Sequence, residues 1–191
     1  MRGHQITSAP PSQGPRPVPL TAIGLDLPAL DHVKDDALVA LIFTDDRPPR
    51  GLAGLIDWRT DGTISRMSAA GRISGDDGEC TLFSTSNRTG CGFILFVGLG
   101  KRSGLGSAEM RNAAAVVREK LERAGVKTFA FSIPPLDETR ITWNEAMSAW
   151  LTETLSGKAW DGITIIDDTD RVRKFIASPP ENLRRRMVLH T

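Results

Sequence analysis

The chain of 191 residues contains no tyrosine, only three histidines and two cysteines, and a formal net charge of only +1. Each scarcity removes a class of function. Cys80 and Cys91 lack the C-x-x-C spacing of a thiolate metal site or a redox pair, and two cysteines make no disulfide framework, so a reducing, cytoplasmic setting is expected. His4 and His190 lie near the chain ends and only His32 lies in the body, which leaves no ligand set for a histidine-based zinc site. Near-neutrality provides no field to steer nucleic acid or a membrane surface. No apolar run approaches the roughly 20 residues that span a bilayer. Residues 1–20 are polar and proline-rich, without the apolar core of a secretory signal. A Gly-x-Ser-x-Gly nucleophile elbow is missing too, because Gly71-Arg72-Ile73-Ser74-Gly75 has the wrong spacing.

What is present reads as one soluble domain: 40% hydrophobic and 25% charged residues. Pro10, Pro11, Pro15, Pro17 and Pro19 mark residues 1–20 as a flexible or extended leader. The domain is expected over 21–178, with 179–191 as a connector and basic tail. Its organising stretch runs from Gly92 to Gly106. Phe93 to Val97 is apolar without alternation, as in a strand covered on both faces. A glycine-rich turn follows, and then the firmest helical pattern, Ala108 to Ala124, in which Met110, Ala113, Ala114, Val117 and Leu121 share a face. Ser107 is the expected N-cap and Gly125 the C′ residue.

Around this unit the pattern predicts a half-buried edge strand at Ile23, Leu25 and Leu27, and a buried strand from Ala37 to Phe43. A helix is expected from Gly51 to Ala70, broken near Asp61-Gly62, followed by a short strand from Glu79 to Ser84. Further strands are expected from Lys127 to Ile133 and from Gly162 to Ile166. One more helix should start at Asp137 or Thr139 and reach Leu155, and a last one should be capped by Thr169 or Asp170. The sum is an α/β chain: a three-layer α/β/α sandwich with a mixed, mostly parallel sheet.

Ligands in such folds sit beyond the carboxyl ends of the strands. The turn Gly98-Leu99-Gly100-Lys101-Arg102-Ser103-Gly104 misses the dinucleotide fingerprint, with Ser103 at the third glycine position, and is not a P-loop. Gly98, Gly100, Lys101, Ser103 and Gly104 are nonetheless the candidate ligand-binding residues, for a phosphorylated small molecule held by backbone N–H groups at a helix start. The competing reading is a plain tight turn. Asp168 and Asp170 at a strand end suit a hard cation, or more simply helix capping and solvent exposure. Arg184, Arg185 and Arg186 make the tail basic, but no aromatic residue interleaves for base stacking, so nucleic acid is not expected.

Three stretches together resemble the N-terminal domain of the leucyl aminopeptidases, peptidase family M17. They are Gly51-Leu52-Ala53-Gly54-Leu55-Ile56-Asp57-Trp58, the strand and turn Phe93 to Gly100 with its alanine-rich helix, and Phe175-Ile176-Ala177-Ser178-Pro179-Pro180-Glu181-Asn182-Leu183. The last is similar to the family's connector, with Ala177-Ser178 and Glu181 replacing usual residues. The resemblance implies a macro-domain-like fold and a non-catalytic domain, since the family's metal ligands lie in its C-terminal domain and match nothing here. It therefore implies no catalytic residue, metal or cofactor in this chain. The partner it implies is a second copy or an aminopeptidase catalytic subunit, in an interaction or regulatory role. Macro domains proper bind ADP-ribose, so the alternative it carries is ADP-ribose or a related ligand at the Gly98 to Gly104 turn.

Overall fold

The computed structural model describes residues 16–84, 89–157 and 160–190. Seven strands form one sheet: β1 (Val18–Ile23), β2 (Ala37–Ile42), β3 (Cys80–Ser84), β4 (Phe93–Gly98), β5 (Thr128–Phe131), β6 (Gly162–Ile166) and β7 (Met187–Leu189), in the order β3-β4-β2-β5-β6-β1-β7. Every neighbouring pair is parallel except β3–β4. The helices are α1 (Leu27–His32), α2 (Gly51–Arg59), α3 (Thr63–Ala69), α4 (Ser107–Arg123), α5 (Trp143–Thr154) and α6 (Thr169–Ala177).

The unbroken apolar runs of β2 and β4 are explained by burial on both sides. Val39, Leu41, Leu95 and Val97 pack with α4, α5 and α6, whereas Leu38, Ala40, Ile94 and Phe96 pack with α1, α2 and α3. The expected sandwich is therefore the observed one. The predicted break of the second helical segment is real: Asp61 and Gly62 both have positive φ, 55° and 73°, which ends α2 and starts α3. The five residues that define the α4 stripe are all buried.

Several boundaries differ from expectation. β1 starts at Val18, inside the expected leader, because Val18 and Leu20 are buried anchors that proline-rich composition hides. It is also an interior strand, paired to β6 on one side and β7 on the other. Leu27 opens α1 instead, capped by Asp26, whose carboxylate accepts from the Ala29 N–H at 2.8 Å. The rest of the expected leader, residues 1–15, lies outside the described residues. Ser107 is the first helical residue of α4; Gly106 is the N-cap, and its N–H donates to Glu109 at 2.9 Å. Gly125 has the positive φ of a C′ residue, 72°.

α5 begins later than the pattern suggested. Pro134, Pro135 and the positive φ of Glu138 (64°) keep the preceding segment irregular. Thr142 and Glu145 then form a capping box. Asp168, not Thr169 or Asp170, caps α6, accepting from the Arg171 N–H at 2.9 Å. Finally, the expected basic tail closes the sheet. Leu183 and Met187 are buried, and β7 runs beside β1 with bonds from Val18 N–H to Arg186 O and from His190 N–H to Leu20 O, each 2.8 Å.

Candidate functional site at the carboxyl rim of the sheet

Helices leave β2 on one face of the sheet and β4 and β5 on the other, so a crevice is expected outside the carboxyl ends of these strands. Three segments meet there: the loop after β2, the glycine turn after β4 and the irregular segment after β5. Gly98 is required by packing, since a Cβ would lie 1.9 Å from the Asp76 carbonyl oxygen. That neighbouring turn is held by Glu79, whose carboxylate accepts from the N–H groups of Ser74 and Gly75 and from the Ser74 hydroxyl. Burial alone would push the Glu79 carboxyl up, but these hydrogen bonds outweigh it and leave it below its ordinary value.

Several backbone donors of the glycine turn are spent inside the protein. Gly98 N–H donates to Glu79 O, Leu99 N–H to Ile42 O and Gly100 N–H to Gly75 O, each at 2.9 Å. Gly104 and Leu105 N–H donate to Lys101 O and Arg102 O at 3.0 Å. Arg102 N–H meets both carboxylate oxygens of Asp45 at 3.3 Å, so an internal anion stands where a phosphate was expected. Of the five sequence candidates, Gly98 is buried under the Asp76 turn and Gly100 is half-buried with φ 70°, while Lys101, Ser103 and Gly104 are exposed on the outer side. All five lie along one turn, from Gly98 to Gly104.

What fills the crevice is Arg102, which in sequence reads with Lys101 as a cation for a phosphate. Only 4% of it is exposed. Its Nε and Nη2 donate to Asp46 Oδ1 at 2.8 and 2.6 Å, and Nη1 donates to the carbonyls of Pro135 (2.7 Å) and Asp137 (3.2 Å). The guanidinium lies 4.4 Å from the Phe43 ring centroid. One side chain thus ties the loops after β2, β4 and β5 together. Outside it, Arg50 makes a two-pronged pair with Asp137 at 2.7 and 3.0 Å, which holds the Asp137 carboxyl below the usual carboxylate range.

A second cluster sits at the end of β6. Buried Asp167 accepts from Trp143 Nε1 at 2.8 Å and from Arg171, and the Arg171 guanidinium stacks 4.6 Å from the Trp143 ring. Beside them a pocket of about 340 Å³ opens between Leu25, Pro134, Leu136 and Ile141. Trp143 thus joins Asp167 and Arg171 in one polar knot. The remaining candidates are dispersed. Asp168 is engaged as a cap, and Asp170 is exposed beside Arg173. Burial pushes the Cys91 thiol up to about 12, which removes it as a nucleophile near neutral pH. Among the described residues no group of three or more His, Cys, Asp or Glu is placed to hold a metal, and no helix is long and apolar enough to cross a membrane.

Comparison with known proteins agrees with this architecture. Residues 39–158 match the model of the cytosol aminopeptidase family, N-terminal domain. A probable cytosol aminopeptidase of Burkholderia cenocepacia (strain HI2424) is 31% identical over 112 residues, covering 58% of this chain and 22% of that protein. Another, from Sulfurihydrogenibium sp. (strain YO3AOP1), is 26% identical over 98 residues, covering 51% of this chain and 19% of that protein. The chain therefore spans about a fifth of the length of these relatives. Among solved structures, a mutant of tomato leucine aminopeptidase superposes with a TM-score of 0.59 at 15% identity, over 91% of this chain and 41% of that one. A Trypanosoma brucei macrodomain in complex with ADP-ribose reaches a TM-score of 0.62 at 18% identity, over 84% of this chain and 75% of that one. With its macrodomain-like sheet and a family match over most of its length, the chain belongs to the cytosol aminopeptidase family, in the part that forms that family's N-terminal domain.

Proposed function

We propose that this domain is a non-catalytic interaction and regulatory module of a cytosol-aminopeptidase assembly in the cytoplasm, docking onto an aminopeptidase catalytic domain. The observation that carries the reading is the closed carboxyl rim. Asp45, Asp46 and the Pro135 carbonyl engage the Arg102 N–H and guanidinium, donors that a phosphate at this rim would use. A rim satisfied from within is suited to be a rigid body that positions a partner. Membership in the family supports the choice of partner, because the relatives carry this domain as a small part of an aminopeptidase.

The test mixes the purified chain with a catalytic chain of the same family and follows co-elution and peptidase rate. Co-elution with an altered rate is expected. Hydrolysis of an amino-acid amide by this chain alone, with added manganese or zinc, would overturn the non-catalytic reading. Calorimetry with ADP-ribose and inorganic phosphate addresses the other expectation, a ligand on Gly98, Gly100, Lys101, Ser103 and Gly104. The expected result is no heat and no rise in melting temperature. Binding that Lys101→Ala and Ser103→Ala weaken would replace the docking reading with a ligand-binding one.

A further inference from the structure

Helices leave neighbouring strands on opposite faces at a second place along the carboxyl rim, between β1 and β6. β1 leads into α1, whose Leu30 packs on one face of the sheet, while β6 leads into α6, whose Val172, Phe175 and Ile176 pack on the other. The two strand ends stay joined, with Asp167 N–H donating to Ile23 O at 2.9 Å. Beyond that bond the loops part, as they do at any such switch of faces, and a crevice opens. Arg102 fills the crevice beside β2; the one beside β1 is the pocket of about 340 Å³. That volume lies at the low end of ligand pockets, about 300–1,000 Å³, and suits a molecule of amino-acid size better than a dinucleotide.

The lining is of two kinds. Leu25, Pro134, Leu136 and Ile141 make an apolar wall, while Asp167 and Arg171 bring one negative and one positive charge to the same pocket. Both charges are held in place. Asp167, 3% exposed, accepts from Trp143 Nε1, from the Asp168 N–H and from Arg171 Nη2, and the guanidinium lies against the Trp143 ring. Among the described residues the guanidinium bonds to Asp167 through Nη2, which leaves Nε and Nη1 of a side chain 48% exposed to a ligand. Asp167 Oδ2 takes one bond, from Trp143, and keeps a lone pair. The wall is fixed as well. Arg102 holds the carbonyls of Pro135 and Asp137, so the segment that carries Pro134 and Leu136 is set before anything binds.

We propose that this pocket binds a free amino acid with a large apolar side chain. The side chain lies against Leu25, Pro134, Leu136 and Ile141, the α-carboxylate takes the remaining donors of Arg171, and the ammonium faces Asp167. Opposite charges side by side, with no excess of either, match a zwitterion. A phosphorylated ligand is matched poorly, because it would meet the Asp167 carboxylate with Arg171 as the single cation among the described residues lining the pocket. The site needs nothing but this chain, so its failure and the failure of docking onto a catalytic partner are separate results.

Calorimetry of the whole chain with L-leucine and L-phenylalanine is the test, and at least one of them is expected to bind with a Kd below about 1 mM. At a hundred times Kd the amino acid should raise the melting temperature by about 5–10 °C. Three probes take the ligand apart: glycine lacks the apolar group, the matching amino-acid amide lacks the carboxylate, and the N-acetyl derivative lacks the ammonium. Each should bind at least about tenfold more weakly than the amino acid itself. Arg171→Gln removes the charge that holds the carboxylate and should weaken binding at least about tenfold. Leu25→Ser removes part of the apolar wall and should weaken it about fivefold or more. Leu25 lies in a loop and is 37% exposed, so this variant reports on binding even where Arg171→Gln lowers stability. Arg173→Ala, exposed on the same helix and outside the pocket, should change nothing. No heat and no melting shift with about 10 mM of either amino acid overturns the proposal. So does equal binding of the amide or the N-acetyl derivative, or binding indifferent to both Arg171→Gln and Leu25→Ser. Binding of ADP-ribose that Leu25→Ser weakens, with neither amino acid bound, would also overturn it.

Discussion

Arg102→Ala is the sharpest test of how this fold is held closed. The substitution removes three kinds of contact at once. Asp46, 5% exposed, loses both guanidinium bonds and becomes an unpaired buried carboxylate. The carbonyl of Pro135 loses its donor, and Phe43 loses the cation over its ring. Removing one partner of a buried ion pair costs about 3–5 kcal/mol, because the remaining charge keeps its desolvation penalty without compensation. Against a typical total of about 5–15 kcal/mol, that is a large share of the stability. For a chain of this size each kcal/mol moves the midpoint by about 2–4 °C, so a fall of about 6–20 °C is expected. Urea unfolding, followed by the fluorescence of buried Trp150 and Trp160, should show a lower midpoint at an unchanged slope. The companion variant separates charge from packing. Arg102→Met with Asp46→Leu deletes both charges and keeps apolar volume, so it should recover most of the loss. A cost under about 1 kcal/mol for Arg102→Ala would refute the view that this side chain locks the rim, since such a value is ordinary for an exposed ion pair.

Two further outcomes follow from local geometry. Gly98→Ala should lower the melting temperature strongly, because its Cβ would overlap the Asp76 carbonyl at 1.9 Å, whereas Gly104→Ala, with nothing within 4 Å, should be neutral or slightly stabilising in the same scan. Asp36 accepts from the N–H groups of Lys127 and Thr128, which hold its carboxyl below the ordinary value. A depressed carboxyl contributes stability above its unfolded pKa, near about 3.9, and loses it as pH falls through the folded value. The melting difference between Asp36→Asn and the parent should therefore be clear at neutral pH and shrink below about pH 4; a difference that stays constant with pH would rule this out.

The fold was legible where burial leaves a mark on composition. β2 and β4 need both faces covered, so their residues are apolar without a break, and α4 meets the sheet on one side, so its stripe recurs at helical spacing. Boundaries were less legible because capping depends on one side chain reaching one N–H. Asp168 beside Thr169 and Asp170, or Gly106 beside Ser107, differ in geometry that spacing alone does not encode. β1 and β7 were hidden by their surroundings. The prolines around Val18 and Leu20, and the arginines before Met187, dominate the local composition, although two or three buried side chains decide the structure.

The rim shows why a site is harder to read than a scaffold. In sequence, Lys101-Arg102 in a glycine turn looks like a cation waiting for a phosphate, and Asp45-Asp46 after a buried strand looks like solvated loop. These two features come from segments more than fifty residues apart, and they cancel each other: Asp46 neutralises Arg102, and Asp45 takes the N–H that an anion would need. The carbonyls of Pro135 and Asp137 complete the arrangement from a third segment. The signal existed in the coincidence of a basic turn and an acidic pair at the carboxyl ends of adjacent parallel strands. Only the strand order β4-β2-β5 turns that coincidence into contact. A glycine turn is thus ambiguous until its neighbours across the sheet are known, and in this chain those neighbours engage the Arg102 N–H and its guanidinium.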